Sequence, residues 1–300
     1  MANQTSKKTV AIIGPTGMLG SGVYSVLKDR YNLVLVYKDQ DKLDLLSNKY
    51  GLANSSKLAQ FDFYDLYKEY LDGFYNNHNS PIFQSLIAQI GNIDAIINCI
   101  GIIKPIANKD PGFTMFLNAA VPYLLAEAYG SKLIHITTDC VYSGLEGAPY
   151  NEKSPKSPQD LYGVSKMLGE PQECITLRTS IVGEELSGFM SLLEWTKKQN
   201  GKTISGYTNH LWNGVTTKEF GNICSKIIDN RNDFPEKGIY HIFSNVVSKY
   251  EMLLAFKEKY HIDCQINPNP NPICNHSLST IYDWQSKLGV PTFIEMVNKL

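Results

Sequence analysis

Along its first half the chain alternates short, continuously apolar runs with segments whose apolar residues recur every three or four positions. The apolar runs are TVAIIG (9–14), LVLVYK (33–38), LAQFDF (58–63), AIINCIG (95–101), KLIHITTD (132–139) and ECITLRTSIVG (173–183). Between them, helical periodicity runs through LGSGVYSVLKDR, residues 41–50, residues 81–90, NAAVPYLLAEAYG (118–130) and a stretch beginning near Tyr162. Strands that are apolar throughout, rather than at every second residue, are buried on both faces, as in a parallel sheet. A βαβαβ succession of such strands predicts an α/β fold: a Rossmann-type doubly wound parallel sheet with right-handed crossovers.

Beyond residue 183 the pattern loosens. GFMSLLEWTKKQ and SKYEMLLAFKEKYH read as amphipathic helices, GIYHIFSN (238–245) as one more sheet strand, and PTFIEMVNKL as a short closing helix. NPNPNP (267–272) reads as an extended connector. The predicted division is a nucleotide-binding domain over 1–180, with 214–246 returning to it. A smaller substrate-binding lobe would be assembled from 181–213 and 247–300.

Composition narrows the picture by exclusion. With 28 Lys+Arg against 29 Asp+Glu, the net charge of −1 offers no bulk attraction for nucleic acid. The N-terminus has no apolar core of signal-peptide length. The most apolar later stretch, IDAIINCIGII, is short and interrupted by Asp94 and Asn98, so no membrane span is expected. The six cysteines (Cys99, Cys140, Cys174, Cys224, Cys264 and Cys274) are scattered without a CxxC pair. Free thiols in a reducing cytoplasm account for them better than disulfides or a metal site, so no metal is expected.

The first strand-to-helix junction carries GPTGMLG. There Gly14 permits a tight turn, Gly17 lets backbone approach a pyrophosphate, and Gly20 permits close helix–strand packing. Thr16, Met18 and Leu19 flank these glycines and complete a dinucleotide-binding loop. An acidic residue about twenty positions further on ordinarily reads the ribose 2′-hydroxyl of NAD(H). Here Lys38 stands eighteen residues past Gly20, beside Asp39. A lysine at that point pairs with a 2′-phosphate, so the spacing favours NADP(H), whereas Asp39 would serve NAD(H). Alternation along a strand lets only one of the two face inward.

LYGVSK places Tyr162 and Lys166 four positions apart, on one helical face. An isolated pair of this kind is most often a solvated surface. Upstream, however, HITTDC delivers Thr137, Thr138 and Asp139 at the C-terminal end of a strand, where open α/β sheets bind their ligands. A carbonyl that accepts hydride becomes an alkoxide, which needs hydrogen-bond donors and then a proton. Tyr162 can supply the proton, with Lys166 lowering its pKa and gripping the nicotinamide ribose. Thr138 can donate a hydrogen bond to the substrate oxygen.

In this order, GxxGxxG, NCIG on the fourth strand, the threonine at 138 and the YxxxK helix resemble the extended short-chain dehydrogenase/reductase family over essentially the whole chain. TTDCVYSG followed by LYGVSKMLGE, with LRTSIVG and PTFIEMV, is most similar to dTDP-4-dehydrorhamnose reductases and related nucleotide-sugar reductases. The resemblance implies NAD(P)H reduction of a 4-keto group on a nucleotide-linked 6-deoxyhexose, a sugar-nucleotide partner and a role in deoxysugar and polysaccharide synthesis. Dehydratase relatives carry an acidic residue after the Thr-Asp pair; Cys140 stands there, which argues against elimination of water.

The same resemblance implies that Asp62 reaches the adenine, that Cys99, Ile100 and Gly101 lie along the cofactor, and that Asn118 supports nearby backbone. Arg178, Thr179 and Ser180 would run past the nicotinamide toward the sugar. Asn209, Trp212 and Asn213 would line the sugar-nucleotide pocket, although Trp212 could equally anchor a core between lobes. His276 stands where relatives often carry an arginine for the diphosphate, and mostly neutral histidine is a weaker phosphate partner. An epimerase using the same residues, and a non-catalytic cofactor-binding regulatory subunit of the same fold, remain alternatives. The oligomeric state is left open, a homodimer included.

Overall fold

The computed structural model describes residues 7–53, 56–73 and 80–300. Its centre is a seven-stranded parallel sheet. Six strands are β1 (Thr9–Ile13), β2 (Asn32–Tyr37), β3 (Lys57–Gln60), β4 (Ala95–Asn98), β5 (Leu133–Thr137) and β6 (Ile175–Arg178); the seventh is Gly238–His241. In space they run β3-β2-β1-β4-β5-β6 and then Gly238–His241. The order reverses between β1 and β4, and there the carboxyl ends of the strands open a crevice.

The apolar runs are explained by two cores, one on each face of the sheet. Val10, Ile12, Leu33 and Leu35 face one layer, while Ala11, Ile13, Val34 and Val36 face the other. Successive residues of a strand point to opposite faces, so covering both faces requires every position to be apolar. Helices Met18–Leu27 and Thr217–Asp229 cover the first face, and Phe63–Leu71, Pro81–Ile90 and Val121–Tyr129 the second. A smaller core gathers Val182, Leu193, Trp212, Met252, Phe256 and Phe293. Trp284, Leu288 and Met296, from the same C-terminal stretch, enter the large core instead.

Several elements differ from the sequence reading; the run ECITLRTSIVG, for one, divides into β6 and a short strand, Ile181–Val182, of a second sheet. β3 ends at Gln60 rather than continuing through Phe63, because Asp62 caps a helix there by accepting from the Tyr64 amide at 2.9 Å. Helix Thr217–Asp229 was not expected; its start was marked by Thr216 and Glu219, the Thr-x-x-Glu spacing of a helix N-terminus. Part of the NPNPNP stretch is a strand: Gln265–Asn269 pairs in parallel with Thr203–Tyr207. Pro268 is tolerated because the ribbon has only two strands and leaves an open edge.

Candidate functional site

The 14–20 loop performs the three tasks its glycines imply. Gly14 adopts φ 77°, and a Cβ there would lie 2.5 Å from Ile100 Cγ2. A Cβ on Gly20 would lie 1.9 Å from the Gly14 carbonyl oxygen, so helix Met18–Leu27 sits as close to the loop as glycine allows. At Gly17 the nearest neighbour of such a Cβ is 3.7 Å away, which leaves the backbone open toward the crevice. The helix begins at Met18 with no acidic residue in its first turn, so its amide dipoles favour an anion.

From this loop a cleft of about 340 Å³ runs past Cys99, Ile100 and Gly101 to Thr138, Tyr162 and Lys166. Tyr162 and Lys166 share the helix Leu161–Leu168, which Asp160 caps by accepting from the Gly163 amide at 2.8 Å. The helix ends at Gly169, whose carbonyl meets His135 Nε2 at 3.0 Å; Asn98 Nδ2 meets Nδ1 of the same ring at 3.1 Å. His135 is fully buried, and burial with the nearby Lys166 charge holds its pKa well below the usual range. A neutral imidazole thus links β4, β5 and the end of the helix.

Asn118 lies in a single π turn, Phe116–Ala120. Its amide clamps both backbone groups of Ile102 (2.8 and 2.9 Å) and donates to Ser165 Oγ at 3.0 Å. The side chain therefore ties the β4 loop to the Tyr162 helix. Lys166 is buried and donates to the Ile136 carbonyl at 2.9 Å; burial lowers its pKa to about 8. The Tyr162 phenol is pushed above its ordinary value, chiefly by burial, with the Thr138 hydrogen bond opposing. The expected lowering by Lys166 is not seen: its ammonium is bonded to Ile136, burial dominates, and the phenol is protonated at neutral pH. Such a group can give a proton. Thr138 accepts from the Cys140 amide at 3.1 Å and meets Asp139 Oδ1 at 3.2 Å.

At the end of β2, Lys38 and Asp39 take different directions. Lys38 pairs with Asp62 Oδ2 at 2.9 Å with its side chain 65% exposed. Asp39 caps the next helix by accepting from the Lys42 amide at 3.2 Å. The carboxylate is thus engaged with backbone, while the Lys38 ammonium is exposed and paired with Asp62.

Several residues expected on the substrate side are engaged within the protein. Arg178 is buried and lies off the cleft wall. Its Nε and Nη2 grip both oxygens of Glu170 at 2.7 Å, and Nη1 reaches Tyr142 Oη at 2.7 Å and His241 Nε2 at 3.0 Å. Asn213 is buried and bonds both backbone groups of Leu278 at 2.8 Å. Trp212 is buried edge-on against Phe293, with centroids 5.6 Å apart. These three build the protein. Asn209 is exposed and donates to the Pro270 carbonyl at 3.0 Å, while Thr179 lines the cleft. His276 is half-buried beside Cys274, at 3.2 Å from Nδ1 to Sγ.

The sequence reading passed over other cleft residues: Ile102, Ile103, Lys104 and Pro105 after β4, and Ile136 and Ile181. Lys104 pairs with Asp160 at 2.8 Å, joining this loop to the start of the Tyr162 helix. For Ile102 to Pro105, their place immediately after a predicted strand, at the ligand-facing edge, was the available signal.

The fold and the assembled site define a member of the extended short-chain dehydrogenase/reductase class. Within it, the chain belongs to the RmlD substrate binding domain family, whose model matches residues 92–280. It is similar to methionine adenosyltransferase 2 subunit beta of Xenopus tropicalis, 27% identical over 268 residues that cover 84% of this chain and 72% of the relative. Among solved structures it resembles dTDP-4-dehydrorhamnose reductase of Bacillus anthracis in complex with NADP. That likeness has a TM-score of 0.66 at 18% identity, over 98% of both chains. UDP-N-acetylglucosamine 4-epimerase of Methanobrevibacter ruminantium, in complex with UDP-N-acetylmuramic acid, aligns with a TM-score of 0.70 at 13% identity, over 98% of this chain and 97% of that one. At these identities the structural likeness speaks for the fold. No helix among the described residues is long and apolar enough to cross a membrane.

Proposed function

We propose that this chain is an NADPH-dependent reductase of the 4-keto group of a nucleotide-linked 6-deoxyhexose, acting in the cytoplasm in deoxysugar and polysaccharide synthesis. The observation that carries the reading is the meeting of Thr138, Tyr162 and Lys166 in one cleft that begins at the 14–20 loop. A dinucleotide fits the near end: Gly17 leaves its backbone uncovered, and the helix behind it presents its amino end. Gly14, Thr16, Gly17, Met18, Leu19 and Gly20 would hold its phosphates, and Cys99, Ile100 and Gly101 its middle. Lys38, with Asp62 beside it, would read the adenosine end. The dinucleotide, when bound, supplies hydride.

The chain's own residues do the rest. Thr138 and Tyr162 donate hydrogen bonds to the sugar's carbonyl oxygen, and Tyr162 gives it the proton. Lys166 holds ribose hydroxyls, and its ammonium favours the phenolate that Tyr162 leaves. Asn118 fixes the loop that follows β4, so the walls of the cleft need not reorganise during the reaction. Residues 181–213 and 247–300 are assigned to the sugar-nucleotide side, with Asp139, Thr179 and His276 as the polar groups nearest it.

The similarity to a subunit beta over most of the chain favours one second reading, a cofactor-binding subunit without turnover. One experiment separates the readings. Purified protein is mixed with NADPH and a dTDP-4-keto-6-deoxyhexose, and both are followed. Stoichiometric NADPH oxidation is expected. Interconversion of sugar epimers without net oxidation would mean an epimerase, and tight NADPH binding without either reaction would mean the subunit.

A further inference from the structure

We propose that His210, Cys274 and His276 form a zinc site, contrary to the sequence expectation of no metal. Among the described residues, their ligand atoms lie within 4.8 Å of one another. The ladder that carries them explains why. Strands His210–Trp212 and Cys274–Asn275 run parallel, with Cys274 opposite His210. His276 follows two residues after Cys274, so an extended chain turns both side chains to the same face. The frame is fixed by three backbone bonds: Cys274 N to Asn209 O at 2.9 Å, His276 N to Leu211 O at 3.1 Å, and Asn275 N to Gly144 O at 2.7 Å.

Cys274 Sγ and His276 Nδ1 are 3.2 Å apart. Tetrahedral zinc, at about 2.3 Å from sulfur and about 2.0 Å from nitrogen, places such atoms about 3.5 Å apart. The pair therefore already has near-ligand spacing, with a His210 ring nitrogen within 4.8 Å of both. The loop after β5 seals the cluster from beneath. Gly144 adopts φ 75°, and a Cβ there would lie 2.4 Å from His276 Cε1 and 2.7 Å from Cys274 Sγ. Only glycine lets the loop approach this closely.

Neighbouring charges do not prevent binding. Lys249 lies over the Trp212 ring at 5.6 Å, Lys104 is held by Asp160, and Asp139 adds a negative charge nearby. A His₂Cys set gives three ligands and leaves the fourth position for water, the pattern of an open zinc site rather than a closed structural one. On binding, the thiol gives up its proton to solvent, and His276 coordinates through an unprotonated Nδ1 with its ring proton on Nε2. His276 belongs to the sugar-nucleotide side assigned above and would serve here as a metal ligand, but the site is tested by metal binding alone and not by the reaction assigned to the cleft.

The test is metal binding by full-length protein under reducing conditions, with Zn²⁺ titrated against a chromogenic chelator and Co²⁺ used as a spectroscopic substitute. One equivalent of Zn²⁺ is expected, with a thiolate-to-cobalt charge-transfer band. Cys274→Ser should abolish the band and weaken Zn²⁺ binding by more than about a hundredfold, since even outer-shell changes cost ten- to hundredfold. Cys140→Ser should leave both intact. His210→Gln, which keeps the thiol, should weaken binding without removing the band, so the proposal stays testable if Cys274→Ser does not fold. Binding below one equivalent overturns it, as does affinity unchanged in Cys274→Ser and His210→Gln, or a band that follows Cys140.

Discussion

Replacing Lys166 with methionine should make the protein inactive and, at neutral pH, more stable. Burial lowers the lysine's pKa from 10.5 to about 8. At about 1.4 kcal/mol per unit, the folded protein carries a cost on the order of 3 kcal/mol to keep that ammonium charged. A lysine whose folded pKa lies below its unfolded value imposes this cost in full below the folded value, near pH 8. The cost shrinks as pH rises toward 10.5 and is absent above it. Methionine has similar length and no charge, but it forgoes the hydrogen bond to the Ile136 carbonyl, worth about 1 kcal/mol. Lys166→Met should therefore gain about 2 kcal/mol in cofactor-free urea denaturation at pH 7, and the gain should vanish near pH 10. In the same variant, NADPH affinity and turnover should both collapse. A loss of several kcal/mol at pH 7 would refute the reasoning: the lysine would then hold the fold together, and its place beside Tyr162 would need no catalytic explanation.

Tyr162→Phe should lower kcat roughly a hundredfold or more, the scale of lost general acid catalysis, with NADPH affinity nearly unchanged in a fluorescence titration; near-normal turnover would remove the tyrosine from the mechanism. Lys38→Ala should erase most of a roughly ten- to hundredfold preference for NADPH over NADH, the worth of one charge-assisted contact, read from kcat/KM for both cofactors. Equal or better use of NADH by the unaltered protein would instead mean that Asp39 or Asp62 reads the ribose. Gly20→Ala should cost on the order of 1–3 kcal/mol and impair cofactor binding, because its Cβ would meet the Gly14 carbonyl; wild-type stability and affinity together would contradict the packing described. Glu170→Gln should destabilise by about 3–5 kcal/mol, since it leaves the Arg178 charge buried beside a neutral partner, and an unchanged denaturation midpoint would show that Tyr142 and His241 suffice.

The cofactor side of the cleft was legible because its demands fall on contiguous residues. A backbone that must turn at Gly14 and touch a helix at Gly20 admits only glycine, and such needs appear directly as residue identity. The apolar runs were legible for a similar reason, since two covered faces leave no polar position to blur a strand. Helix Phe63–Leu71 was hidden by Phe61 and Phe63, which extended an apolar run past the true end of β3. The substrate side was less legible because its candidates are chemically ambiguous. Arg178, Trp212 and Asn213 have the groups that bind sugars and phosphates, and the same groups satisfy a buried interior. Burial decides between these roles, and burial at that junction depends on segments far apart in the chain. Asn213 meets Leu278, and Trp212 meets Phe293.

Arg178 shows how a residue taken for a ligand can still matter to the site. Glu170 follows Gly169, the cap of the helix that carries Tyr162 and Lys166, and Arg178 holds both of its oxygens. Through Nη1 the same guanidinium reaches Tyr142, three residues beyond Asp139, and His241 at the end of the neighbouring strand. The His241 amide in turn donates to Glu152, which accepts from Thr280 and the Ile281 amide. One connected network thus runs from the end of helix Leu161–Leu168 to the C-terminal segment. A buried ion pair gives little net stability, but it penalises every arrangement that separates its members. Replacing the polar group by an apolar one could leave the fold intact and still loosen the helix, since only directional bonds fix the orientation of Tyr162 relative to Thr138. By this argument Arg178 helps to hold Tyr162, which it does not touch, in place.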